Sequence, residues 1–195
     1  MRPRVLRRRF FHAKDYALND DLPGVRLAKR RGYRWIDLNI HVTAPSKPGR
    51  TDWRVVVTHW RFPLQHGWRD PLGLLRADVP VDQMTFEQVG RLRHRRRPSA
   101  RIRPLSQVLR WCKRLGIAVE LEAKDSPLLA TSDVAWARIR DLVREIGVRV
   151  EVKSIVGLGR GWERLARARR AGLTAFPIRT TAADARAHGF DRYRP

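Results

Sequence analysis

Residues 32–36 read GYRWI, and they introduce a motif that recurs along the chain, a glycine followed by a short run of β-forming residues. It returns as GIAV at 116–119, GVRV at 147–150, GLTAF at 172–176 and GF at 189–190. Helical patterns precede most of these glycines, and glycine supplies the left-handed residue that commonly ends a helix. The repeated order of helix, glycine and strand is typical of α/β units around a parallel sheet.

Two of the preceding helices have clear apolar faces. Before Gly116, apolar residues recur at three- and four-residue spacing at 105, 108, 109 and 112. Before Gly147, the apolar face comprises residues 136, 139, 142, 143 and 146, and either Ser132 or Asp133 is the expected N-cap. These patterns predict helices that each cover one face of the sheet.

Three early strands and one excursion complete the predicted fold. Residues 35–42 alternate between polar and apolar side chains, residues 54–59 contain a buried run of three valines, and a short first strand is expected at 8–11. Residues 62–103 are rich in proline and turns, and a single short helix capped by Thr85 is expected at 85–93. We therefore predict an α/β fold of the barrel type, abbreviated, with an insertion after the third strand.

Composition places the chain among globular proteins. It has 195 residues, of which 43% are hydrophobic, and we expect one domain over residues 1–195. Cys112 is the only cysteine, so no intramolecular disulfide can form. No apolar run approaches the roughly 20 residues of a membrane helix, and no apolar segment follows the basic start. A cytoplasmic location without a transmembrane segment is the expectation.

The net charge of +23 permits two interpretations. Arginine binds phosphate oxygens in a bidentate manner, which suggests nonspecific contact with nucleic acid or anionic lipid. Alternatively, arginine is abundant because of genome composition and simply covers solvated surfaces, which we weight slightly higher. The basic peaks are not interleaved with aromatic residues, and no zinc-finger or RNP pattern occurs. Either way, the positive field would concentrate an anionic substrate.

Polar residues fall near the ends of several predicted strands. Asp37 and Asn39 lie two apart on one strand, Glu122 and Lys124 end another, and His12 and His59 each end a strand. The carboxyl ends of parallel strands carry the active site in α/β folds. Oxygen donors from Asp37, Asn39 and Glu122 would suit Ca²⁺ or Mg²⁺, and two histidines could serve as general acid and base. Each feature alone is more typical of a solvated strand, but their joint position favours a site.

The order of these motifs resembles that of the glycerophosphodiester phosphodiesterase family. Residues 32–43 resemble the family's Glu-x-Asp strand, residues 54–59 its His-Asp strand, residues 104–109 its Pro-x-Leu helix and residues 121–124 its Glu-x-Lys strand. The family's fold is a (β/α)8 TIM-type barrel, and this chain is shorter than the chains that usually form it. Several positions depart from the family pattern: His12 precedes Ala13 and Lys14, Asn39 replaces an aspartate, and Trp60 follows the second histidine.

The resemblance implies metal-dependent hydrolysis of a glycerophosphodiester to an alcohol and glycerol 3-phosphate. It assigns acid–base roles to His12 and His59, phosphate contacts to Lys124 and Lys14, and the divalent cation to Asp37, Asn39 and Glu122. A sphingomyelinase-D-like phospholipase has a similar fold and is an enzymatic alternative. A catalytically degenerate barrel that binds nucleic acid or anionic lipid is the alternative from another class.

Overall fold

The computed structural model describes residues 4–5, 21–157 and 159–195. The strands there are β1 (Arg4–Val5), β2 (Trp35–Val42), β3 (Val55–Val57), β4 (Trp68–Arg69), β5 (Arg93–His94), β6 (Arg103–Pro104), β7 (Ala118–Ala123), β8 (Val150–Ile155), β9 (Ala175–Ile178) and β10 (Arg192–Tyr193). The helices there are α1 (Leu22–Arg30), α2 (Phe86–Arg91), α3 (Leu105–Leu115), α4 (Pro127–Thr131), α5 (Asp133–Ile146), α6 (Gly161–Arg170) and α7 (Ala182–Ala187). The first strand expected at 8–11 lies outside the described residues.

The main sheet has the order β6–β3–β2–β7–β8–β9 among the described strands. β2, β7, β8 and β9 pair in parallel, as the helix–glycine–strand motif predicts. β1 pairs with β10, and a parallel bridge between Ile178 and Arg194 connects the end of the chain to β9. The α/β class and the parallel sheet are confirmed. Closure into a barrel is not seen in the part of the chain that is described, so it stays a prediction.

The strand β3 corrects one sequence expectation. The predicted α/β barrel requires this strand to run parallel to its neighbours, but it pairs antiparallel with β2. The backbone N–H of Thr43 donates to the carbonyl of Arg54, and Thr58 donates to Asn39, both at 2.9 Å. The chain therefore turns back on itself after β2, through residues 43–54, which contain no helix that could carry a crossover to a parallel strand.

Local sequence explains how the main helices begin and end. The Ser132 side chain accepts a hydrogen bond from the N–H of Ala135, which makes Ser132 the N-cap of α5. Gly116 and Gly147 end α3 and α5 with φ of 65° and 66°, a region that glycine enters without steric cost. Both helices pack on one face of the sheet, where the alternate apolar residues of β2 and β7 form the main core.

The excursion after β3 has a small core of its own. Val56, Trp68, Met84 and Leu92 belong to a second buried cluster, separate from the main core. The helix α2 begins at the expected cap, where Thr85 and Gln88 form a reciprocal capping box. The predicted insertion after the third strand is therefore present and packs as a compact lobe.

Candidate active site

One face of the main sheet carries buried polar side chains, and we call it the polar face. Its members alternate with the apolar residues that pack against the helices. It comprises Asp37, Asn39 and His41 of β2, Glu120 and Glu122 of β7, and Glu151 and Lys153 of β8. All seven residues are buried, and burying charged groups is unfavourable unless they are paired. The alternation predicted for residues 35–42 is confirmed, and the polar side is as buried as the apolar side.

The parallel register places like charges side by side on this face. Asp37 lies opposite Glu120, which lies opposite Glu151 on the next strand. Two residues further along each strand, Asn39 lies opposite Glu122, which lies opposite Lys153. Like charges directly opposite each other destabilise a sheet. Cations must therefore lie among these carboxylates for the sheet to be stable.

Lys153 provides the central cation. Its Nζ lies 2.7 Å from Oδ2 of Asp37, 3.6 Å from Oε2 of Glu122 and 3.7 Å from Oε2 of Glu120. We call Asp37, Glu120 and Glu122 the carboxylate cluster. The Lys153 side chain is 3% exposed, so the ammonium lies inside the protein and is surrounded by these carboxylates.

Two further cations complete the pairing of the carboxylate cluster. Lys124 Nζ lies 2.6 Å from Oε1 of Glu122. The guanidinium of Arg194 donates to both carboxylate oxygens of Glu120, at 2.7 and 3.1 Å. The bidentate geometry makes this one of the stronger ion pairs available to a protein. Among the described side chains, these three carboxylates thus face Lys153, Lys124 and Arg194.

Asn39 is buried at the centre of the polar face, between Glu122 and β3. Its side chain has no exposed surface, and neither its Oδ1 nor its Nδ2 has a hydrogen-bond partner among the described residues. An unsatisfied buried amide costs free energy, so such a group is normally bonded to water or to a ligand. Asn39 is therefore a candidate ligand-binding group, in line with the prediction from sequence.

The backbone of His59 lies beside β2 because β3 runs antiparallel to it. The hydrogen bond between the N–H of Thr58 and the carbonyl of Asn39 brings the chain back to the level of the site. His59 follows immediately and is half-buried, with its ring edge-on to Trp60 at a centroid distance of 4.4 Å. Trp60 in turn stacks on His66, with their ring centroids 3.8 Å apart. An indole therefore replaces the carboxylate that follows this histidine in the family pattern.

A second set of charges lies beyond the ends of β3 and β7. The Arg61 guanidinium donates to both oxygens of Asp82, at 2.9 and 3.1 Å, and lies 3.5 Å from Asp125. Asp125 also lies 3.7 Å from the guanidinium of Arg164. The hydrogen bonds that Arg61 donates to Asp82 raise the pKa of Arg61, while burial lowers the pKa of Arg164. Arg61 keeps its charge and is 29% exposed, so it can meet an anion from solvent.

His41 is neutral over the ordinary pH range. Burial is the main cause that lowers its pKa from 6.5 to about 3, and the positive charges of Lys124 and Arg61 contribute in the same direction. The nearby Asp82 opposes this shift but does not cancel it. A neutral imidazole can accept or donate a hydrogen bond, but it cannot provide a cation for phosphate at neutral pH.

The structure brings most of the predicted site residues together. Asp37, Asn39 and Glu122 share the polar face, and Lys124 pairs with Glu122 at its edge. The backbone at His59 returns beside Asn39, although β3 does not end at the carboxyl edge of the parallel strands. His12 and Lys14 lie outside the described residues. The roles assigned to these seven residues stay predictions.

The donor set predicted for a divalent cation does not fit one as it stands. Hard cations take carboxylate and amide oxygens at about 2.0–2.6 Å, and Asp37, Asn39 and Glu122 are of the right chemical type. The space between the carboxylates, however, is taken by the ammonium of Lys153. In the described ranges, no group of three His, Cys, Asp or Glu side chains is arranged to hold a metal ion. The divalent cation stays a prediction, and no chemical step below depends on it.

Sequence reasoning missed Glu120, Lys153, Arg194 and Arg61. Glu120 and Glu122 alternate with apolar residues, which also describes a half-exposed strand, and Lys153 belongs to a similar alternation at 148–153. Two adjacent strands with this alternation were the available signal. Arg194 lies 74 residues from Glu120 in sequence, and no local pattern identifies it as a partner.

No protein-family profile matches the chain, and no curated protein is significantly similar to it. Solved structures are similar in fold. A candidate glycerophosphoryl diester phosphodiesterase from Silicibacter pomeroyi is 20% identical, with a TM-score of 0.68 over 98% of this chain and 74% of its own. A candidate glycerophosphodiester phosphodiesterase from Galdieria sulphuraria is 15% identical, with a TM-score of 0.66 over 88% of this chain and 66% of its own.

A glycerophosphodiester phosphodiesterase from Agrobacterium tumefaciens is also 15% identical, with a TM-score of 0.53 over 98% of this chain and 96% of its own. Identities at this level establish the fold and leave the activity to be argued from the site. This chain therefore has the fold of the glycerophosphodiester phosphodiesterases, as the order of its sequence motifs predicts.

Proposed function

We propose that the protein hydrolyses glycerophosphodiesters to an alcohol and glycerol 3-phosphate. The observation that carries the proposal is the ion pair between Lys124 and Glu122. Glu122 lies opposite Asn39 in the sheet, and the backbone just before His59 is hydrogen-bonded to Asn39. Apart from Asn39, which replaces an aspartate, these residues follow the order of the family's motifs, and the fold is shared with a solved glycerophosphodiester phosphodiesterase. The fold supports the activity by analogy, and the residue types at the site support it chemically.

The substrate phosphate would bind at the edge of the polar face. Lys124 is 21% exposed and Arg61 is 29% exposed, so both can present N–H donors to a ligand from solvent. Each already contacts a carboxylate, which holds the side chain in place without using all of its donors. A phosphodiester monoanion would be attracted here, and developing negative charge on its oxygens would be stabilised by these fixed cations.

Hydrolysis requires one proton to leave the nucleophile and one to reach the leaving group. In the proposed reaction a bond forms between the water oxygen and phosphorus, and the ester bond from phosphorus to the alcohol oxygen breaks. We assign one of these proton transfers to His59 and the other to His12, as the family resemblance implies. His41 does not take either role at neutral pH, because its pKa of about 3 keeps it deprotonated.

The decisive test is hydrolysis of glycerophosphocholine and glycerophosphoethanolamine by the purified full chain, with glycerol 3-phosphate measured enzymatically. Each reaction should be run with Mg²⁺, with Ca²⁺ and with EDTA. Release of glycerol 3-phosphate, weakened by Lys124→Met and unchanged by Lys47→Met, would support the proposal. Lys47 is exposed and takes part in none of the site contacts described above, so it provides a matched control.

Product analysis also separates the alternatives. A sphingomyelinase-D-like enzyme would release choline from sphingomyelin or lysophospholipid, and it would leave glycerophosphocholine intact. A protein that releases no product from any of these phosphodiesters would contradict the proposal. Salt-sensitive binding of such an inactive protein to DNA, RNA or anionic vesicles would then favour the degenerate barrel.

A further inference from the structure

The ammonium of Lys153 lies where the motif order predicts a divalent cation. We infer that Lys153 is the resident counter-cation of the carboxylate cluster, so that Asp37, Glu120 and Glu122 are organised without a divalent ion. This inference concerns cation binding, and it stands whether or not the proposed hydrolysis is found.

The distances from Lys153 Nζ to the carboxylate oxygens leave no room for a divalent cation beside the ammonium. Lys153 Nζ lies 2.7 Å from Asp37 and 3.6–3.7 Å from Glu122 and Glu120, so it is within ion-pair range of all three. A divalent cation would need oxygens from the same residues at about 2.0–2.6 Å. Both cations cannot occupy that space, so metal binding would require the ammonium to leave.

Charge balance also disfavours an additional ion. The carboxylate cluster has three negative charges, and Lys153, Lys124 and Arg194 supply three positive ones at 2.6–3.7 Å. A divalent ion added to this arrangement would bring two more positive charges to carboxylates that already face these three cations. Repulsion from the nearby cations would weaken its binding in a buried, poorly screened site.

The fold also holds Lys153 in place. Its strand β8 lies between β7 and β9, and the register puts Lys153 between Glu122 and Phe176. The side chain is 3% exposed, and Asp37 accepts a hydrogen bond from its Nζ across the intervening strand β7. Displacing the ammonium would leave the Asp37 carboxylate buried without this charge, which is unfavourable.

A gain of metal binding on removal of the ammonium follows from this arrangement. Lys153→Met keeps a side chain of similar length and deletes the charge, which leaves three buried carboxylate side chains around one point. Those side chains are of the type that Mg²⁺ and Ca²⁺ prefer. Lys153→Arg keeps a cation and should gain nothing, so it is the matched control.

The experiment is isothermal titration of the full chain with Mg²⁺, Ca²⁺ and Mn²⁺ alone, together with thermal unfolding at each ion concentration. The wild type and Lys153→Arg should show no saturable binding at millimolar ion, and their Tm should not respond to EDTA. Lys153→Met should bind one ion, and its Tm should rise by about 5–10 °C at roughly 100-fold excess over Kd. Adding Glu122→Gln to Lys153→Met should weaken that binding.

Saturable wild-type binding of one ion in the micromolar range, weakened by Glu122→Gln, would overturn the inference. So would a folded Lys153→Met variant that binds none of the three ions. The wild-type titration decides the matter if Lys153→Met does not fold. None of these readouts depends on turnover, so a failure of the proposed phosphodiesterase activity would be distinguishable from a failure of this inference.

Discussion

Lys153 donates a hydrogen bond to Asp37 at 2.7 Å across the intervening strand β7, joining two residues that are 116 positions apart in sequence. Both side chains are almost completely buried. The pair connects β2 to β8 on the polar face, while the opposite faces of the same strands pack against helices. The stability of the sheet therefore depends on a charged contact as well as on its apolar core.

Replacing Lys153 by methionine should lower the free energy of unfolding by about 3–5 kcal/mol, because the buried Asp37 loses its ion pair with the ammonium at 2.7 Å. The double variant Asp37→Asn with Lys153→Met should lose less than the sum of the two single changes. A coupling of roughly 1–3 kcal/mol is expected for residues in direct contact. Urea unfolding measures all three, with exposed Lys47→Met as a control expected within about 0.5 kcal/mol of the wild type.

The ion pair between Arg194 and Glu120 should also contribute to the free energy of unfolding. The bidentate bond from Arg194 to the fully buried Glu120 means that Arg194→Met costs about 3–5 kcal/mol, since the buried carboxylate loses both hydrogen bonds from the guanidinium. Arg194→Lys should recover only part of this, because an ammonium cannot reproduce two parallel N–H donors. Adding Glu120→Gln to Arg194→Met should restore stability as judged by urea unfolding. Equal stability of Arg194→Met and wild type would contradict the pairing.

At Gly161 the first residue of α6 packs directly against the backbone at the end of β8. A Cβ at this position would overlap the carbonyl oxygen of Ile155 and would lie 2.7 Å from Cα of Val156. Both are backbone atoms, so no side chain can rotate away, and Gly161→Ala should lower the free energy of unfolding by about 3 kcal/mol or more. Gly90→Ala in α2 is the control, because a Cβ there meets nothing within 4 Å. It should stabilise the protein by roughly 0.5–1 kcal/mol.

The sequence predicts elements well where one local pattern is sufficient. The alternation at 35–42 gives β2 with its bounds and both faces, and Gly116 and Gly147 correctly mark the ends of two helices. These features depend on side-chain periodicity and on the conformational freedom of glycine, both of which are local. The direction of β3 is not local, because three valines look the same in a parallel and in an antiparallel strand.

The site is predicted in part for the same reason. Asp37, Asn39, Glu122 and Lys124 stand out because pairs of polar residues two positions apart share one strand face. Lys153 could not be ranked above other charged residues, because its role depends on the register of three strands. A lysine in an alternating strand is ordinarily exposed, and only the assembled sheet shows this one to be buried.

His41 should make the protein less stable in acid. Its pKa is about 3 in the folded protein and 6.5 in the unfolded chain, so the unfolded state binds a proton that the folded state does not. The free energy of unfolding is therefore unaffected by His41 above pH 6.5. It falls as the pH drops from 6.5 towards 3, by at most about 4–5 kcal/mol. Urea unfolding between pH 7 and 4 should show this slope.

Two variants identify the group responsible. His41→Gln should flatten the slope between pH 6.5 and 4, because the titrating imidazole is gone, whatever its effect on stability at pH 7. Exposed His188→Gln should leave the slope unchanged. An NMR titration in which the His41 imidazole takes up a proton near pH 6 in the folded protein would contradict the expected shift.

His59 tests the proposed chemistry most directly. Its replacement by alanine should lower kcat for glycerophosphodiester hydrolysis by roughly 10²–10⁴-fold, the usual contribution of a general acid or base. KM should change little, because the lost interaction belongs to proton transfer and not to substrate binding. One limb of the wild-type pH–rate profile should flatten in His59→Ala, which a purely structural defect would not produce. Lys124→Met should instead raise KM, since Lys124 is proposed to bind the phosphate, and a His59→Ala enzyme with wild-type kcat would remove His59 from the mechanism.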